Sequence, residues 1–241
     1  MKLLFDLMEQ TNIFPGPSKK ELQYVRNGNI YNIFEFVYNT IKTQIPIALI
    51  YSRLTIGLSV IFLSFLQISN YKFIAITLLS IGFLTDVFDG IIARRLDIST
   101  EKLRRLDSTI DQIFFISFTV ATYLQWPGFF KSNINKLAIL IALECLTYLV
   151  CFLKFKKEIA TDSIGAKIWT ILLFATLVEI TTHGQSIILF NCCFWVGVVT
   201  RVEIIAIMLI LKRWTNDVPT FYHSLKLRAG REIKRHKLFN G

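Results

Sequence analysis

From about residue 45 to about residue 211 the chain is a succession of apolar runs, each long enough to cross a bilayer and each cut off by a short polar stretch. A run of roughly 17–25 apolar residues spans the ~30 Å hydrocarbon core as an α-helix, because lipid offers no partner to an unpaired backbone N–H or C=O. The runs lie at about 45–69, 71–93, 106–125, 137–153, 164–182 and 187–211. They predict an all-α integral membrane protein with six transmembrane helices. A disordered chain is excluded, since 53% of the residues are hydrophobic. One soluble domain is excluded as well, because it would have to bury all six runs in one core.

Residues 1–17 read as irregular and end in Pro15-Gly16-Pro17. Ser18 with Glu21 has capping-box spacing, the signature of a helix start. Ile30, Ile33, Phe34, Val37 and Ile41 then recur at helical spacing, with Gly28 as a break before them. This stripe predicts an N-terminal amphipathic helix lying in the membrane interface. The expected organisation is therefore 1–44 as an N-terminal segment with the interfacial helix, 45–211 as the six-helix domain and 212–241 as a basic tail. Cys145, Cys151, Cys192 and Cys193 all sit in apolar runs without a CxxC pair, and read as reduced packing residues.

The net charge of +10 would suggest nucleic acid in a soluble protein, but its distribution argues otherwise. Basic residues gather in the N-terminal segment, between Arg94 and Arg105, at Lys154–Lys157 and in the tail from Lys212. The opposite loops hold Lys72, Lys131 and Lys136. By the positive-inside rule, both termini and the two basic loops face the cytoplasm. The tail reads as a partner of anionic headgroups, and no nucleic-acid partner is expected.

Four carboxylates interrupt this apolar background. Asp86 and Asp89 are spaced i,i+3 at the polar end of the second run, and Asp107 and Asp111 are spaced i,i+4 at the start of the third. Each pair shares one helix face. If the two helices are antiparallel neighbours, four carboxylates meet near the interface, where they repel unless divalent cations join them. Hard oxygen ligands suit Mg²⁺, Mn²⁺ or Ca²⁺. On the aspartates alone, the competing reading is a membrane cation-binding or transport protein without chemistry.

The stretch from Asp86 to Asp111 resembles the signature of the CDP-alcohol phosphotransferase (phosphatidyltransferase) family: D-x2-D-G-x2-A-R, about eight residues, then G-x3-D-x3-D. Asp86, Asp89, Gly90, Ala93, Arg94, Asp107 and Asp111 match in register. One position departs: Leu103 stands where the signature has its second glycine, which bears on the fit of the cytidine end. The resemblance implies an enzyme that transfers a substituted phosphate from a CDP-linked donor to an alcohol and releases CMP. It implies Asp86, Asp89, Asp107 and Asp111 as ligands of two divalent cations, Mg²⁺ or Mn²⁺, with Asp111 also the general base. It implies donor contacts at Thr85, Asp86, Gly90, Ala93 and Arg94, and a homodimer. The leading expectation is phosphatidyl transfer from CDP-diacylglycerol to a small polar alcohol, at a site open to the cytoplasmic leaflet. Transfer of a CDP-linked head group to a lipid alcohol is the alternative.

Arg53, Lys167 and Arg201 fall within the apolar runs. Cations buried in a bilayer are rare and usually functional. They are expected to line an acceptor pocket, suited to a phosphorylated alcohol such as glycerol 3-phosphate or an inositol phosphate. The competing assignment is ion pairing with Glu144, Glu179 or Glu203.

Overall fold

A computed structural model describes residues 30–66, 68–95, 100–156, 163–215 and 218–231, with only the backbone described at 30–43, 94, 95 and 101. Ser18, Glu21 and Gly28 lie outside the described residues. Those described form eight helices and no strand: α1 (Ile30–Phe65), α2 (Tyr71–Arg95), α3 (Glu101–Gln125), α4 (Pro127–Ser132), α5 (Ile134–Phe155), α6 (Ile164–His183), α7 (Ile188–Ile210) and α8 (Phe221–Arg228).

The apolar runs become helices with ends close to those expected, but the span count changes. Among the described residues five helices are long and apolar enough to cross a membrane: Gln44–Phe65, Tyr71–Ala93, Ile134–Phe155, Ile164–His183 and Ile188–Ile210. The expected third span, α3, is not one of them, because Lys102, Arg104, Arg105, Asp107 and Asp111 make its first half polar. A second correction concerns the N-terminal helix. The striped segment is helical, yet it is no separate element. α1 runs without interruption for 36 residues and carries Pro46 inside it.

Local chemistry sets the ends. Thr100 caps α3, its side chain accepting the Leu103 N–H, so this helix begins earlier than the apolar run. Ser163 caps α6 in the same way through Ala166 N–H. Gly184 ends α6 at φ 75°, where an added Cβ would also press into the Trp126 ring. Pro127 opens α4 directly after Trp126.

The helices fall into two groups. α1 packs on α2 and α3, while α7 packs on α5, α6 and α8; α6 joins the groups by touching α2 and α3. Lipid is as apolar as leucine, so burial alone does not drive such helices together, and close approach at small residues matters more. Gly57 of α1 faces Ser117 of α3, and Gly82 of α2 faces the Phe114 ring of α3. Around these contacts Val60, Leu79, Phe114, Phe118 and Ala121 form a buried core with Leu177 of α6.

Candidate active site

The two close approaches lie one helical turn from the charged residues. Gly57 follows Arg53 by four positions, and Gly82 precedes Asp86 by four. Because Gly57 and Gly82 present no side chain of their own to α3, Arg53, Asp86 and Asp89 are drawn onto Asp107 and Asp111. All four aspartates, from two helices, converge as the spacing predicts.

What the spacing does not predict is the group at their centre. Arg53 is completely buried, and its guanidinium pairs with all four carboxylates. Nη1 reaches Asp86 Oδ1 at 3.0 Å and also contacts Asp111. Nη2 bonds Asp89 and Asp107. Each terminal nitrogen thus serves two aspartates, a use of the planar fork that lysine lacks. Arg53, expected to line an acceptor pocket, has its guanidinium among the aspartates.

Four carboxylates drawn this close repel one another, and hard oxygen ligands of this kind suit divalent cations. Oxygens of Asp86, Asp89 and Asp107 come within 4.8 Å of one another. Asp89 Oδ1 is buried without a hydrogen-bond partner, which is costly unless a cation uses it. The four are not equivalent. Asp89 is only 2% exposed, whereas Asp86, Asp107 and Asp111 keep 28%, 29% and 26%. Asp111 lies one turn beyond Asp107 on α3 and outside the three-aspartate group, reached through Arg53.

The residues expected to contact the donor lie at the same end of α2. Thr85 donates its hydroxyl to the Gly82 carbonyl at 2.7 Å. Gly90 is half-buried one position after Asp89, and Ala93 is buried. Arg94 lies in the last turn of α2, and its side chain is outside the described part. Leu103 is 3% exposed and belongs to a core cluster with Ile50, Ala93 and Ile110. The leucine at the signature's glycine position therefore fills a joint between α1, α2 and α3.

The other two expected acceptor residues lie in the second helix group. Arg201 of α7 pairs through Nε with Glu144 of α5 and stacks on Trp169 of α6, 4.3 Å from the ring centre. Glu144 also accepts from Gln112 Nε2 at 2.8 Å, and Gln112 accepts from the Tyr148 hydroxyl. Ion pairing with Glu144, the competing assignment for Arg201, is what forms. Lys167 is half-buried in the first turn of α6. Glu203 accepts from the Phe221 N–H, and Glu179 accepts from the Ser186 hydroxyl. Gln112 and Tyr148 escaped the sequence reading, although a glutamine within an apolar run is itself a signal, since lipid cannot solvate it.

A family model described as CDP-alcohol phosphatidyltransferase matches residues 43–215. Neither a curated protein nor a solved structure matches the chain.

Proposed function

Because the chain belongs to the CDP-alcohol phosphatidyltransferase family, we propose that it transfers a phosphatidyl group from CDP-diacylglycerol to a small polar alcohol and releases CMP. The family makes it a membrane transferase of phospholipid synthesis; donor, acceptor and residue roles are the proposal. The observation that carries it is the convergence of Asp86, Asp89, Asp107 and Asp111 with an orphaned buried oxygen among them.

The reaction joins the acceptor hydroxyl oxygen to the donor's β-phosphorus. The bond from that phosphorus to the bridging oxygen breaks, and its electron pair leaves with CMP. Asp111 takes the hydroxyl proton. Its partial exposure and its place beside the three-aspartate group support this role, because a general base must reach the proton it removes. Asp86, Asp89 and Asp107, together with Asp111, would hold two divalent cations, Mg²⁺ or Mn²⁺, whose charge offsets that of the diphosphate and of the departing CMP. Asp89 is the most buried of them and serves as a ligand only. Arg94 pairs the donor phosphates, Gly90 and Ala93 give the nucleotide room, and Thr85 with Asp86 borders it. Leu103 already packs in the core, which supports a donor pose that does not need glycine there. The homodimer rests on the family resemblance alone.

For the acceptor, the pairing of Arg201 with Glu144 favours an alcohol without a phosphate. A phosphorylated acceptor requires Arg201 to exchange Glu144 for the phosphate, with Lys167 as the second cation. The basic segments support a site facing the cytoplasm of the inner membrane, with both termini on that side and α3 as the sixth crossing.

The test is CMP release by the purified protein with Mn²⁺ or Mg²⁺ and CDP-diacylglycerol, offered a panel of free and phosphorylated alcohols. Asp111→Asn is expected to lower the rate by about 10²–10⁴-fold, the usual share of a general base. Turnover of CDP-linked head groups with diacylglycerol instead would select the alternative transfer. Cation binding without any CDP-donor turnover or binding would leave only the non-catalytic reading.

A further inference from the structure

The family match ends at residue 215, and the chain then folds a helix of its own, α8. This helix is braced on the bundle at three points. The Phe221 N–H donates to Glu203 of α7 at 3.2 Å. The Ile164 N–H at the start of α6 donates to the Pro219 carbonyl at 3.0 Å. Val218 and Leu227 pack with Ile204, Ile207, Met208 and Leu211 on the last turns of α7.

That packing sets its depth. Ile204 to Leu211 spans about 10 Å of helix, so α8 lies level with the final turns of a membrane span, at the boundary between hydrocarbon and headgroups. Its two faces differ. Ser224 is fully buried and Leu227, on the same side, packs inward. Phe221 and Leu225, four apart, and Tyr222 beside them are exposed, Tyr222 to 61%. Around the helix Arg228 borders this apolar stripe on one side and Lys226 on the other. Lys226 Nζ sits 4.7 Å from the Tyr222 ring centre, so its ammonium stays beside the stripe.

We propose that α8 is an interfacial anchor that binds anionic phospholipid, with Phe221, Tyr222 and Leu225 in the acyl–headgroup boundary and Lys226 and Arg228 on the headgroup phosphates. An apolar stripe with basic borders is what such a surface selects. Three side chains make too small a face for a stable protein partner, which needs about 800 Å² on each side. The bilayer is already present at that depth. The basic sequence from Arg231 to Lys237 continues the same charge.

The experiment places benzoylphenylalanine at Tyr222, Leu225 or Leu227 of the full chain, reconstituted in nanodiscs of equal parts phosphatidylcholine and phosphatidylglycerol. Irradiation followed by mass spectrometry is expected to give phospholipid adducts from positions 222 and 225, and an intrachain adduct to α7 from 227. Phosphatidylglycerol should exceed phosphatidylcholine among the lipid adducts severalfold. Lys226→Gln with Arg228→Gln should keep the adducts and weaken that preference severalfold, since each basic group near the surface favours anionic lipid by about fivefold. The proposal is overturned if position 222 crosslinks a second copy or another protein, if it yields no lipid adduct while position 227 reports the packed helix, or if both lipids are captured equally by the unaltered charges.

Discussion

Two buried arginines, one in each helix group, solve the same problem in opposite ways. Arg53 sits among four carboxylates, one of whose buried oxygens has no hydrogen-bond partner, so the site around it suits cations. Arg201 meets one carboxylate, Glu144, and covers its face on Trp169, so the pair is neutral and complete. A charge in a low-dielectric interior is stable when paired and hydrogen-bonded. The first arrangement is therefore built to take something more, and the second to stay closed. The difference separates the half of the molecule that carries the proposed chemistry from the half that braces it.

The largest expected effect is on Arg53. Arg53→Leu leaves four carboxylates without their guanidinium, and removing one partner of a buried ion pair costs about 3–5 kcal/mol. The protein should lose its cooperative melting transition in the absence of divalent ions and regain it in part with Mn²⁺, read by thermal unfolding in detergent. If Mn²⁺ stabilises neither this variant nor the parent, the aspartates do not form a cation site. Next comes Gly82→Ala, whose methyl would enter the Phe114 ring one turn from Asp86. Overpacking of this kind costs about 1–3 kcal/mol, and here turnover should fall together with the melting temperature.

Gly197→Ala is the matched change in the other group, where an added Cβ would lie 2.5 Å from Trp169 Nε1 and 2.9 Å from Leu140. It should lower the melting temperature by a similar amount while KM for the CDP donor stays the same. A large rise in donor KM would erase the distinction between the groups. The smallest effect is expected from Glu144→Gln. Arg201 keeps its ring contact and some exposure, so the melting temperature should drop by a few degrees, about 1–2 kcal/mol at this chain size. KM for a free alcohol should not change. A fall in KM confined to a phosphorylated alcohol would mean that freeing Arg201 creates the phosphate site, and would reverse our choice of acceptor.

The helices were legible because bilayer thickness and backbone hydrogen bonding leave few alternatives, and their ends shift only where a cap intervenes. Thr100 lengthened α3 in this way, and its signal, a threonine just before the helix, was present to be read. α3 falls short of the other spans in apolarity because it also carries the candidate site. α3 must bear Asp107 and Asp111 at one end and Phe114, Phe118 and Ala121 further along. The aspartate cluster was legible because both pairs are local in sequence and helical spacing puts each on one face. The place of Arg53 among the aspartates was not legible for the converse reason. It stands more than thirty positions from its nearest carboxylate partner, and only the packing of α1 at Gly57 and Ser117 brings it there. Leu103 belongs with it, as a departure from a motif whose meaning depends on the neighbours Ile50, Ala93 and Ile110.

The unbroken length of α1 has a mechanical side. About 40 Å of helix separates Ile30 from the Gly57 contact, whereas Arg53 lies about 6 Å from it. A tilt of about 5° around that contact, treating the helix as a straight rod, carries the outer end through about 3.5 Å and the guanidinium through only about 0.5 Å. Displacements applied at the N-terminal end therefore reach the aspartates reduced about sevenfold, and Pro46, lacking the N–H that would brace its turn, gives the rod a place to flex before they arrive. The helix works as a long handle gripped close to its working end.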